Sequence, residues 1–325
     1  MKHAAFAVFV LFALPQISLA QEYDPNYLGT FSIIGRDSET GELGMGVQSK
    51  AFAAGNRAMH AKGGLVVIAH QAAANPMYGG IGVELLQAGY SPEEALEMMV
   101  ASDEGRDRRQ VAILDNQGRT AAWTGSGASD WKGHKCGKDY CAQGNILTGP
   151  EVVDAMAASF EASTGLLAER LMDALDAAQA AGGDARGMQS GAIMVVSARA
   201  GGGYSDRAVD IRVDDHVEPL GELRRVLNLF RSGQMLRDAN QKRQEGYLDT
   251  ALSLALVARD KSPENDNAWV ALAEIYLGLE RMADVFSALE RAVELNPSRK
   301  RTLLSDDDFE SLRHDQDFLR IVGGL

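Results

Sequence analysis

The hydrophobic periodicity of this chain changes once, near Val217, and that single change restricts the folds open to it. Before it, short apolar runs of β type alternate with glycine-bearing turns; after it, only helical spacing remains. The β-type runs fall at 30–36, 43–49, 64–71, 110–115, 120–124, 191–198 and 209–213, with turn chemistry such as Ser38-Glu39-Thr40-Gly41 and Asp115-Asn116-Gln117-Gly118 between them. Helical spacing is expected at 80–89, 91–101, 150–163 and 166–181, the second opened by Ser91 as cap and Pro92 at the first helical position. Strands, helices, strands, helices, strands, with hairpins between neighbouring strands, is the order of antiparallel sheets covered by helices. No Gly-x-Gly-x-x-Gly lies between a strand and a helix, not even at Gly201-Gly202-Gly203, so nucleotide binding is excluded.

The helical remainder carries a 34-residue period, with Pro263 and Pro297 one period apart. Trp269, Leu272, Ala273, Tyr276, Gly278, Leu289, Ala292 and Pro297 stand at tetratricopeptide (TPR) spacings, a helix-turn-helix unit. An earlier copy is degenerate, with Met235 and Asp238 where Trp and Leu are expected, and Phe309, Leu312, Phe318 and Ile321 mark a closing helical segment. Such units bury their faces only against neighbours, so the array is expected to pack on the first domain or on a partner protein.

Lys2 and His3 precede an apolar run from Ala4 to Leu14, then Pro15 and a small-residue end at Ser18, Leu19 and Ala20. This is the layout of a secretory signal peptide cut after Ala20, and the run is well short of the ~20 residues that span a bilayer. A periplasmic or secreted protein, without membrane insertion after signal removal, is therefore expected. In such an oxidising compartment Cys136 and Cys141 can pair; the rival, a zinc site, needs two further ligands and has only His134 nearby. The 325 residues carry a formal net charge of −13, which repels nucleic acid and anionic membrane surfaces.

Cleavage after Ala20 leaves QEYDPNYLG, residues 21–29, before the strand that Thr30 opens. A threonine made N-terminal can act as a nucleophile, because its own α-amino group, with a pKa of ~7.7–8.0, serves as general base. Gly29 permits the strained turn that attack on its own carbonyl requires. The rival is an ordinary β-branched strand residue.

The segments TFSIIGRDSETGELGMGVQSKAFAAG from Thr30, HQAAANPMYGGIGVELLQAG from His70, RQVAILDNQGR from Arg109, TGSGASDWKGH from Thr124, QGNILTG from Gln143, LAERLMDALDAAQAAGGDARGMQSGA from Leu167 and VDIRVDDH from Val209 resemble, in order, the family DUF1028. The resemblance implies a four-layer αββα N-terminal nucleophile (Ntn) hydrolase-like sandwich. Overall the expected class is α+β: signal peptide 1–20, propeptide or linker 21–29, sandwich 30–230 and a small all-α TPR-like domain 231–325. In many family members the corresponding Thr directly follows the initiator Met or a signal cut. Nine residues intervene here, and Tyr27 at position −3 argues against signal peptidase cutting after Gly29, so a second cleavage is required.

By this resemblance Thr30 is the nucleophile of a hydrolase of linear amides, and an oxyanion donor and a basic neighbour are needed beside it. Asn75 is the first donor candidate, with Gln71 and Asn145 behind it; Lys50 and Arg36 are candidates for depressing the amine pKa, with Asp37 orienting them. Trp131 and His134 are candidates for a substrate wall, while Asp184 with Arg186, and Asp214, Asp215 with His216, are candidates for lining a cleft. The latter trio also suggests a metal, but neighbouring strand residues face opposite ways, so no metal or other cofactor is expected. A small-molecule or peptide amide, envelope peptides included, is the expected substrate. The competing readings are a non-catalytic interaction protein that binds a partner through its TPR-like region, and a metal-dependent hydrolase. Ntn-type folds commonly bury a face between subunits, so the resemblance also raises a homodimer.

Overall fold

A computed structural model of the chain describes residues 27–199 and 206–323. The expected signal peptide, residues 21–26 of the expected propeptide and residues 201–203 lie outside the described residues.

Eleven strands form two antiparallel sheets among the described residues. The first contains β1 (Tyr27–Leu28), β4 (Met59–Lys62), β5 (Val66–Ala73), β6 (Arg109–Asp115) and β7 (Thr120–Thr124). β5 is its pivot, paired with β6 along one edge and, along the other, with β4 at residues 66–69 and β1 at residues 72–73. The second runs in the order β11 (Arg207–Val213), β10 (Ser190–Val196), β3 (Leu43–Ser49), β2 (Thr30–Arg36), β9 (Tyr140–Asn145), β8 (Gly133–Gly137).

Both faces of each sheet are covered, which is why the central strands read as continuous apolar runs; β3 and β5 are buried along their whole length. Ile34, Met45, Val47, Val67, Ala69, Ala112 and Met194 fill the space between the sheets. The alternate residues Val66, Ile68 and Val111 face outward under α2 (Met77–Gln87) and α3 (Pro92–Ala101). α4 (Glu151–Ala162) and α5 (Leu167–Ala180) cover the second sheet through Phe160, Leu171 and Leu175. α5 lies close because Gly44 offers no side chain: a Cβ there would stand 2.8 Å from Leu171 Cδ1. The layers are therefore α, β, β, α, as expected.

α3 starts as the sequence requires, with Ser91 and Glu94 forming a reciprocal capping box and Pro92 at its first position. Several elements differ from expectation. The helix expected at 80–89 begins three residues earlier and ends two earlier, as α2. The short α1 (Ala54–Ala58) and β4 occupy a segment with no expected strand or helix, and β8 and β9 form a hairpin where no strand was expected. Cys136 and Cys141 face each other across that hairpin and are joined by a disulfide, with Cα atoms 4.0 Å apart. Closing so short a loop restricts the unfolded chain by about 2 kcal/mol. The double variant Cys136→Ala/Cys141→Ala is expected to lose that much stability in urea unfolding, with the fold retained.

The C-terminal region is all helical: α6 (Pro219–Gln244), α7 (Leu248–Lys261), α8 (Asp266–Gly278), α9 (Met282–Leu295), α10 (Arg299–Ser305) and α11 (Gln316–Val322). α8 and α9 form the hairpin that carries the TPR spacing, with Leu272, Ala273, Leu289 and Ala292 buried in its core. Position 230/231 falls inside α6, a continuous helix whose Leu220, Leu223 and Leu227 complete the sandwich core and whose Ala239 enters the helical core. The two regions are thus joined through a shared helix rather than a loop. Arg224 pairs with Asp173 and Lys261 with Glu169, tying α6 and α7 back to α5.

Candidate active site

Gly29 is where the backbone leaves one sheet for the other. Leu28 still pairs with Ala72 of β5 in the first sheet, whereas Thr30 already pairs with Ser49 of β3 and Asn145 of β9 in the middle of the second. Thr30 is completely buried at this crossing. Its Oγ1 donates to Ser49 Oγ at 3.0 Å, and Ser49 Oγ donates to the Gly29 carbonyl oxygen at 2.5 Å. A second donor, Arg186 Nη2, reaches the same oxygen at 2.7 Å. The peptide carbonyl just ahead of Thr30 is thus polarised by a hydroxyl and a guanidinium, the arrangement that stabilises an oxyanion as charge develops.

Arg186 is not free to wander. The Asp184 carboxylate, with no exposed side-chain surface, accepts Arg186 Nε at 3.0 Å and Nη2 at 2.6 Å, plus the backbone N–H groups of Arg186 and Lys50. Backbone strain collects around the same spot. Ala72 and Ile146 adopt positive φ, 64° and 54°, a region that costs an L-residue roughly 1–2 kcal/mol.

Behind Thr30 a polar layer fills the gap between the sheets. Gln71 Nε2 donates to the Thr30 carbonyl at 3.0 Å and to Gln110 Oε1 at 2.7 Å, while its Oε1 accepts Ser32 Oγ. Gln110 Oε1 also accepts Asn145 Nδ2 at 3.1 Å, and Gln110 Nε2 reaches the Gly144 carbonyl at 2.8 Å. Asn145 Oδ1 stays buried without a hydrogen-bond partner. Because directly opposed residues of an antiparallel pair share a face, this acceptor stands on the same face as the Thr30 side chain.

Of the residues singled out from sequence, Thr30, Gln71, Asn145, Asp184 and Arg186 come together here. Arg36 and Asp37 do not: they sit at the far end of β2, roughly 20 Å away at the rise of an extended strand, where Arg36 pairs with Asp139 and Asp37 caps the Glu39–Thr40 turn. Lys50 follows Ser49, but its ammonium is exposed and donates to the Met188 carbonyl; the cation beside the crossing is Arg186. Asn75 is committed elsewhere, donating to Asp103, which also binds Arg109 and Tyr78. His134 Nδ1 shares a hydrogen bond with Thr124 Oγ1, and Trp131 packs against the helix-covered side of the second sheet. Asp215 accepts from Gln189 and His216 Nδ1 from the Glu218 N–H. Among the described residues no group of three or more His, Cys, Asp or Glu side chains is arranged to hold a metal ion. Ser49 and Gln110 were missed; both sit at register positions that alternation along a strand would have pointed inward, toward Thr30 and Gln71.

Comparison with known proteins fits this architecture. The model of the family of unknown function DUF1028 matches residues 30–223. The chain belongs to the DUF1028 family. Among solved structures, a DUF1028 protein from Silicibacter pomeroyi is similar, with a TM-score of 0.56 and 33% identity, covering 62% of this chain and 84% of that one. No curated protein matches. The DUF1028 match begins at Thr30, so the crossing at Gly29 and the strand β1 lie just outside it. Helices α7 to α11 lie wholly beyond it.

Proposed function

We propose that this DUF1028 protein is an exported Ntn-type amidohydrolase whose nucleophile, Thr30, is released by scission of the Gly29–Thr30 peptide bond. The observation that carries the reading is the Gly29 carbonyl held by Ser49 Oγ and Arg186 Nη2 while the Thr30 hydroxyl rests on the same Ser49. In the maturation step Thr30 Oγ1 adds to the Gly29 carbonyl carbon, the C–N bond breaks, and the hydroxyl proton ends on the new α-amine. Water then hydrolyses the resulting ester and frees residue 29 as a carboxylate.

In turnover the freed α-amine takes the Thr30 hydroxyl proton as Oγ1 attacks a substrate amide, and returns it to the leaving amine. Arg186 and Ser49 donate to the oxyanion, and the open Oδ1 of Asn145 accepts from the α-amine. Envelope amides are the proposed substrates and the TPR-like helices the proposed site of a protein partner.

The test is the intact mass and N-terminal residue of the purified protein beside Thr30→Ala. The wild type is expected to begin at Thr30 and the variant to keep its upstream residues. Identical N-termini upstream of Thr30 in both would sink the nucleophile reading and favour the non-catalytic interaction protein.

A further inference from the structure

We infer that the acyl half of the substrate is an extended peptide ending in glycine, which adds as a strand to the edge of β5 at Ala72–Ala73 and presents its glycyl carbonyl to Thr30. The inference rests on Thr30 being the nucleophile, and three observations carry it.

The first is chemical identity. The ester formed during maturation joins Thr30 Oγ1 to the carbonyl carbon of the segment ending Tyr27-Leu28-Gly29. A substrate amide of the form peptide-Gly-CO–NH-R would form the same kind of ester: the Oγ1–C bond forms, the C–N bond breaks, and the amine leaves with the hydroxyl proton. Water then gives the glycyl carboxylate. A site that hydrolyses the first ester therefore already accommodates the second.

The second is the sheet edge. β4 covers β5 at residues 66–69, and β1 covers it only at 72–73, through the pairs Tyr27 with Ala73 and Leu28 with Ala72. Loss of residues 27–29 removes the strand partner of that stretch, while the Ala73 carbonyl keeps its hydrogen bond from Arg109, and it reopens the edge along which an acyl chain leads up to Thr30. Strand addition to such an edge is a general mode of peptide recognition.

The third is the exclusion of a side chain at the acyl residue. A Cβ on Gly29 would stand 2.3 Å from Arg186 Nη2, 2.6 Å from its Cζ and 2.8 Å from Ile146 Cδ1. An arginine tip usually moves aside, but this one is fastened by the buried Asp184 and is itself a donor to the carbonyl. Moving it to admit a methyl group would remove part of the oxyanion contact.

The experiment uses the mature protein and three 7-amino-4-methylcoumarin amides, acetyl-Tyr-Leu-Gly, acetyl-Tyr-Leu-Ala and acetyl-Gly, with Thr30→Ala as the blank. One misfit carbon in a tight pocket changes kcat/KM by ~10–200-fold, so the glycyl peptide is expected to exceed the alanyl peptide by about 100-fold. Acetyl-Gly, lacking the two strand residues, is expected to fall at least about tenfold below the glycyl peptide. Equal, Thr30-dependent rates on the glycyl and alanyl peptides would overturn the inference and leave the hydrolase reading standing, as would no turnover by protein that begins at Thr30. Protein that keeps its upstream residues would overturn both.

Discussion

Replacing Asp184 by alanine is expected to lower the unfolding free energy by about 3 kcal/mol and to stop the release of Thr30. The carboxylate is fully buried and accepts four donors, two from the Arg186 guanidinium and two from backbone N–H groups at Lys50 and Arg186. Removing one partner of a buried charged pair costs ~3–5 kcal/mol, mostly as the desolvation of what is left behind. Arg186 keeps about a quarter of its side-chain surface in water, so the lower end applies. Asp184→Asn keeps one acceptor oxygen and is expected to lose less stability while still slowing release, since a neutral amide holds the guanidinium less firmly over the Gly29 carbonyl. Urea unfolding and intact mass read the two effects separately. An Asp184→Ala protein within about 1 kcal/mol of wild type would show that the pair does not hold this corner of the fold.

The same corner shows why sequence alone carried the fold further than the site. Strands β2 and β3 are seven-residue runs separated by a turn that Gly41, at φ 76°, closes, so their hairpin was readable from composition and spacing. β8 and β9 were not, because the inward residues of β9 include Gln143 and Asn145, which belong to the polar layer between the sheets, and alternation of apolar residues never appears. α2 began earlier than expected because Tyr78, Gly79 and Gly82 form its buried face, and glycines give no helical pattern to read. Thr30 stood out through the resemblance to DUF1028, because its place at the head of a strand suits an ordinary β-branched residue equally well. Asp184 and Arg186 were noticed only as polar residues near a cleft, since a contact between positions 29 and 186 depends on the registers of β3 and β10 and of the Leu147–Asp184 bridge. Arg36 and Asp37 looked close to Thr30 along the sequence, yet a strand carries its two ends apart.

The second large effect is expected in mild acid, and it starts from one histidine on β5. His70 faces outward with Val66 and Ile68, is completely buried, and has no hydrogen-bond partner for either ring nitrogen. Its ring stacks on His60 of β4 at 5.0 Å, under Gly79 of α2, where a Cβ would stand 2.1 Å from His60 Cγ. Burial, reinforced by repulsion from His60, pushes its pKa down to about 3 from the usual 6.5, and burial alone lowers that of His60. Below pH 6.5 the unfolded chain takes up a proton at His70 that the folded chain refuses. The contribution of His70 is therefore full above neutrality and falls as pH drops, by up to ~1.4 kcal/mol per unit. Between pH 7 and 5 the loss from His70 is about 2 kcal/mol, with a further loss from His60 in the same direction. Two carboxyl groups work the other way, Glu42, which burial raises above its usual value, and Glu274. Burial raises Glu274 to about 7, so the folded chain holds a proton there that the unfolded chain gives up, and this contribution grows as pH falls. Glu274 lies on α8 in the helical region, so comparing wild type with His70→Leu cancels it. Urea unfolding at pH 7 and 5 should show His70→Leu losing about 2 kcal/mol less than the wild type; equal losses would mean that His70 is charged or solvated in the folded protein.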